Sequence, residues 1–229
     1  MSNWNPDGED RQMREFLAKL SQGTDRRRFL KWSGLSVGAL AVGCGDDDDD
    51  DNGTGPPDGD PVVTLPLRNT TDVLKFALFL ELLEADFYTQ AVASGALSGT
   101  VLEIATSVRD HEQDHVDALQ GLLGSMAFDE DDVEFDFGNA VENQTAFLPL
   151  AETLEQTGTQ AYLGALPIIG ERQNRLTAGT IATIEARHTS VFRALNGRPD
   201  PVPRAFEVPL TPEQVIAAVR ALNVVERGL

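Results

Sequence analysis

Glu81 and Tyr88 stand seven residues apart, as do Glu155 and Tyr162, and these are the only two tyrosines in the chain. Beside them lie two Glu-x-x-His units, Glu112-Gln-Asp-His115 and Glu185-Ala-Arg-His188. Each member of the first set recurs in the second 73 or 74 residues later. In a helix, residues i and i+3 project from nearly the same face, so each unit presents a carboxylate and an imidazole to one point. Two units and two lone glutamates supply four carboxylates and two imidazoles. Four negative charges balance two divalent cations and still permit a step to the trivalent state. Mixed oxygen and nitrogen donors without thiolate suit iron or manganese. Burying this much charge without metal is costly.

Such a donor set needs helices to carry it. Apolar residues at helical spacing (Leu74, Ala77, Leu78, Leu82, Ala85, Tyr88) predict a helix over 71–94, capped by the Thr70-Thr71-Asp72 cluster and stopped at Gly95. A second is predicted over 99–123, ending at Gly124. A third spans 147–166, with Pro149 in its first turn, where proline is tolerated, and ends at Pro167. A fourth spans 171–195 and stops at Asn196-Gly197. Short joins make each pair an antiparallel hairpin. The acidic connection over 125–146 carries Phe128, Phe135 and Phe137. It is long enough to cross the bundle, with the phenylalanines pinning it to the side. After a Pro-rich stretch, Thr211-Pro212-Glu213 opens a short helix reaching Leu222, with proline at the favoured first position. The fold class is all-α: a four-helix bundle of two hairpins joined by a long crossover, plus a short C-terminal helix.

Five segments carry a family resemblance: Leu-Glu-Leu-Leu-Glu-Ala-Asp-Phe-Tyr (80–88), His-Glu-Gln-Asp-His-Val-Asp-Ala-Leu (111–119), Phe-Asp-Phe (135–137), Leu-Glu-Gln-Thr-Gly-Thr-Gln-Ala-Tyr (154–162) and Ile-Glu-Ala-Arg-His (184–188). The sequence resembles the ferritin-like superfamily, in particular its exported bacterial and desiccation-related branch. The resemblance implies that Glu81 and Glu155 are terminal carboxylate ligands, Glu112 and Glu185 bridging ones, and His115 and His188 the imidazole ligands. It implies that Tyr88 and Tyr162 orient carboxylates from behind. The implied cofactor is a pair of iron ions, with manganese as the other candidate. The implied activity is oxidation of ferrous iron by oxygen or peroxide, or peroxide removal. The alternative is a metal-binding, stress-protective envelope protein without turnover.

His111 completes a literal His-Glu-x-x-His, the zinc-protease motif. The second copy argues against a protease, because Ile184 stands at the position matching His111. His111 is expected to be exposed or to support a ligand from behind. The same is expected of Glu84 and Glu152, which have Gly158 and Leu78 at the matching positions.

Of the 37 acidic residues, 32 follow position 43, against 11 of the 18 basic ones. So acidic a body repels nucleic acid and anionic lipid headgroups. Cys44 is the one cysteine, which excludes intrachain disulfides, multi-thiolate sites and a four-cysteine iron relay. Arg26-Arg27-Arg28-Phe29-Leu30-Lys31 resembles a twin-arginine export motif, and the apolar stretch 32–43 is too short for a membrane-spanning helix. Ala41-Val42-Gly43-Cys44 resembles a lipobox. The expected organisation is a signal segment over 1–44, an acidic Gly/Pro-rich linker over 45–64 that includes six successive aspartates, and a ferritin-like domain over 65–229. The expected location is the periplasm or cell surface, with a lipid anchor at Cys44. The expected partners are metal ions and oxygen or peroxide, with a homo-oligomer left open. A tethered chain fits a closed storage cage poorly.

Overall fold

The computed structural model describes residues 61–229. The twin-arginine motif, the lipobox and the aspartate run lie outside the described residues. The first long helix, α1 (Thr70–Ala93), is capped by Asn69, whose side chain accepts from the Asp72 N–H at 3.0 Å. The cap is thus one residue ahead of the expected Thr-Thr-Asp cluster. Gly95 takes φ +74°, a left-handed conformation, and stops the helix. The second helix, α2 (Gly99–Leu123), has the expected bounds. A one-turn helix, α3 (Asn139–Glu142), then precedes α4 (Gln144–Ala165).

The start of α4 is three residues earlier than expected. Asn143 Oδ1 accepts from the Thr145 and Ala146 N–H groups at 2.8 and 3.3 Å. Pro149 therefore falls beyond the first turn. It and Thr145 lie on the exposed face, where water can satisfy the carbonyl that proline leaves unpaired. The fourth long helix is α5 (Arg172–Leu195) and the short C-terminal one is α6 (Pro212–Leu222). Thr211 and Gln214 form a reciprocal capping box on α6.

Helices α1 and α2 pack as one hairpin and α4 and α5 as the other, with α1 against α4 and α2 against α5. Contacts at the two ends fix the directions. The Ser98 N–H donates to Gln144 Oε1 at 2.9 Å, where α1 gives way to α2 and α4 begins. At the far end, Thr70 Oγ1 donates to Glu171 and accepts from the Gly170 N–H. The segment between α2 and α4 must therefore run the length of the bundle. At ~1.5 Å per residue α2 is roughly 37 Å long, well within reach of 20 extended residues.

This crossover covers α1. Phe79 packs on Phe135 and Phe87 on Phe137, both edge to face, while Phe87 also stacks on Phe147. Phe128 and Phe137 are buried. Helix α1 is consequently buried on nearly every side, as its apolar composition requires. One element was not foreseen. Glu134–Phe135 (β1) pairs antiparallel with Val225–Arg227 (β2), so the C-terminus is stitched to the crossover. Val62 and Val63, assigned from sequence to the linker, are buried against the core, and the Val62 N–H donates to the Gly228 carbonyl at 3.1 Å. Among the described residues no helix is long and apolar enough to cross a membrane.

The segment between α5 and α6 lies directly on α4. The Leu210 N–H donates to the Gln160 carbonyl at 3.1 Å, and a Cβ built on Gly164 would sit 1.8 Å from the Leu210 carbonyl oxygen. Backbone meets backbone there, with nothing flexible to yield. Gly164→Ala is expected to lower stability by about 1–3 kcal/mol by lifting this strap, an overpacking cost. Denaturant unfolding measures it, and an unchanged midpoint would contradict the contact.

Candidate metal centre

The six predicted donors meet in one buried cluster at mid-bundle. Glu81, Glu112, Glu155 and Glu185 are each 0% exposed, and His188 is 5% exposed. His115 is partly buried. Each lone glutamate is held in the same way. Tyr162 Oη donates to Glu81 Oε1 and Tyr88 Oη donates to Glu155 Oε1, so each tyrosine reaches across to the other hairpin. That leaves Glu81 Oε2 facing His115 Nδ1 at 3.1 Å and Glu155 Oε2 facing His188 Nδ1 at 3.0 Å. The hydroxyl fixes one oxygen and so aims the other.

Glu112 joins the two halves. Its Oε2 lies 2.8 Å from His115 Nδ1 and its Oε1 3.0 Å from His188 Nδ1. Glu185 Oε1 lies 3.4 Å from His115 Nδ1. Two overlapping sets of convergent donors result, one of Glu81, Glu112, His115 and Glu185, the other of Glu112, Glu155, Glu185 and His188. Glu112 and Glu185 belong to both, which is the geometry a bridging carboxylate needs.

The fit to cations rests on orphaned oxygens. Neither oxygen of Glu185 accepts a hydrogen bond, although both are buried. Glu112 Oε1 approaches His188 but without hydrogen-bond geometry. Buried polar atoms normally find partners, and a buried carboxylate above all. The described ion pairs bring only imidazole to these carboxylates, never arginine or lysine. Charge is instead rearranged by protons. Burial pushes Glu81 up to about 7, against the pull of His115. Burial, then the neighbouring carboxylates, drives Glu185 well up. Burial would raise Glu112 too, but the hydrogen bond from His115 and the close approach of His188 hold it well below the usual carboxylate range. Burial alone would lower His188, but Glu155 and Glu112 raise it to about 10. His115 is likewise raised, chiefly by Glu81 and Glu112 against the effect of burial. In effect, imidazolium and carboxylic acid stand in for cations.

Glu84 and Glu152 were expected either to be exposed or to support a ligand from behind, and exposure holds for neither. Glu84 does not face solvent: it is 2% exposed, and its Oε2 is a further orphan. The signal was present, because Glu84 lies three residues beyond Glu81 on the same face of α1. Glu152 is also buried, at 8% exposure, but it belongs to neither donor set and serves the fold. Its carboxylate pairs with Arg193 at 3.2 Å and Arg198 at 2.9 Å, and accepts from Asn196 at 2.8 Å, tying down the end of α5. His111 is exposed at its edge, yet its Nδ1 lies 2.9 Å from His188 Nε2. It joins neither donor set, so the two histidines of His-Glu-x-x-His do not converge as the protease motif requires.

A four-helix bundle with one long crossover, carrying paired Glu and Glu-x-x-His residues in its core, is the ferritin-like arrangement, and its buried cluster is compatible with a di-metal site. Residues 69–198 match the family model for the ferritin-like domain, and the chain belongs to that family. No curated protein matches it significantly.

The proton arrangement has a measurable consequence. A group whose pKa is raised by folding stabilises below its unfolded value and loses that contribution as pH rises through its folded value. For Glu81 the loss runs from 4.5 to about 7, and for His188 from 6.5 to about 10. Glu112, lowered by folding, acts oppositely and only in acid. Metal-free protein is therefore expected to lose stability steadily from about pH 5 to pH 9. Cation uptake must release protons, seen as a dependence of the calorimetric heat on the buffer's ionisation enthalpy. A stability curve that is flat over this range, with no proton release, would overturn the charge assignment.

Proposed function

We propose that this chain is an exported di-metal carboxylate protein that holds two ions, iron before manganese, and oxidises ferrous iron with peroxide or oxygen. The observation that carries it is the set of buried carboxylate oxygens that no donor satisfies, arranged as two donor groups sharing Glu112 and Glu185. Bound as a pair, two ferrous ions supply the two electrons that, with two protons, reduce one peroxide to two waters.

The residues divide that work. Glu81 and His115 would hold one ion, Glu155 and His188 the other, with Glu112 and Glu185 spanning both. Tyr88 and Tyr162 keep their protons, since burial and then the adjacent carboxylate raise both hydroxyls well above the ordinary value. Each therefore remains a donor that fixes its glutamate. The apolar layer around them, Phe87, Phe147 and Phe192 against Tyr88, keeps bulk water out. Export and a lipid anchor at Cys44 are read from residues 26–44 of the sequence, and they would place this chemistry at the cell envelope.

Full-length protein stripped of metal should bind two ferrous ions per chain and oxidise them on addition of peroxide, faster than the ions oxidise in buffer. Glu112→Ala and His188→Ala should each remove most of the uptake, by about ten- to a hundredfold in affinity or more. Two ions bound without any turnover would leave a metal-holding, protective role and remove the oxidase. No uptake at all would remove both.

A further inference from the structure

The internal duplication is broken at one place inside the centre. Glu84, on α1, has Gly158 at the matching position of α4. The cross-hairpin bonds from Tyr88 to Glu155 and from Tyr162 to Glu81 set α1 and α4 antiparallel in a register that brings Glu84 opposite Gly158. A Cβ on Gly158 would lie 2.9 Å from Glu185 Oε2 and 3.2 and 3.4 Å from the two oxygens of Glu84. One half of the duplication therefore contributes a carboxylate, and the other half the space it occupies.

That carboxylate has no structural partner to explain it. Glu84 is 2% exposed, its Oε2 accepts no hydrogen bond, and no arginine, lysine or histidine pairs with it among the described residues. Glu152 shows what a buried carboxylate kept for folding looks like in this protein, with two arginines and an asparagine on it. Glu84 also lies one turn from both Glu81 and Tyr88 on the same face of α1. Since Tyr88 ends on Glu155, Glu84 is displaced from the Glu81 end of the centre toward the Glu155 end.

We infer that Glu84 is a fifth carboxylate donor to the centre, given by one hairpin alone and directed to the position of Glu112, Glu155, Glu185 and His188; this rests on the two-metal reading above. The two positions are then unequal. The His188 position has five donors and the greater negative charge, against four at the His115 position. It fills first and holds its ion more tightly.

Cobalt(II) is the probe, because its visible band reports the number of donors and needs no turnover. Metal-free full-length protein titrated with Co²⁺ should take two ions in two resolved steps. Glu84→Gln should weaken the tighter step by about ten- to a hundredfold, change its band and leave the other step intact. Gly158→Ala should weaken the same step by crowding Glu84 and Glu185. In a His115→Ala background, which removes the other position, the effect of Glu84→Gln should persist. If Glu84→Gln does not fold, Glu84→Asp decides: a shifted band supports the assignment and an unchanged band overturns it. Wild-type steps and band in Glu84→Gln overturn the inference, whereas wild-type protein that takes up no Co²⁺ overturns the two-metal reading itself.

Discussion

A carboxylate leaving water forfeits several kcal/mol even after the protein relaxes around it. This bundle withdraws five of them into one cluster, Glu81, Glu84, Glu112, Glu155 and Glu185, with no arginine or lysine paired to them among the described residues. The fold is organised around that expense. Helical phase brings each imidazole onto the same face as the glutamate three residues before it. The tyrosines fix the terminal glutamates from the opposite hairpin, so the two hairpins cannot slide along one another without breaking both bonds. The crossover covers α1 and the C-terminal strap lies on α4, and the five glutamates are at most 2% exposed, which keeps their electrostatics strong. Where the same chain buries a carboxylate for folding alone, at Glu152, it supplies arginines instead.

The six donors and two tyrosines were legible because scarce residue types recurred in register, and a helix converts spacing into a shared face. The bundle itself was legible from apolar periodicity and short joins, with α2 bounded as expected and the other long helices within a few residues. What escaped was set by contacts between elements. Spacing showed that Glu84 shares a face with Glu81, but only the packing of α4, with Gly158 opposite, shows that this face has room for a second carboxylate. His111 was expected to be exposed or to back a ligand, but that its neighbour is His188, on a helix 77 residues away in sequence, shows only in the packing. The β1–β2 pairing involves two- and three-residue strands, too short for any alternation to announce them.

Departures from the duplication are more informative than its repeats. His111 backs His188, while the second copy has Ile184 at the matching sequence position. Glu84 fills the gap left by Gly158. His111 lies on the half of the centre that contains His188, to which the inference above also directs Glu84. On the inference drawn above, these two departures would make a symmetric scaffold carry two dissimilar positions.

The hydrogen bond between Val62 and Gly228 has a consequence for chain order. The segment around Val62 lies beside that around Gly228, and the latter is stitched to the crossover by the β1–β2 pairing. Backbone continuity between the hairpins is thus nearly interchangeable with continuity between the ends. Linked there by a few residues and reopened near 125–129, the polypeptide would present its hairpins in reverse order, with every donor on its own helix. The architecture of the described residues reads as a closed ring of two hairpins, in which the centre is held by packing between helices and not by the order in which the chain visits them.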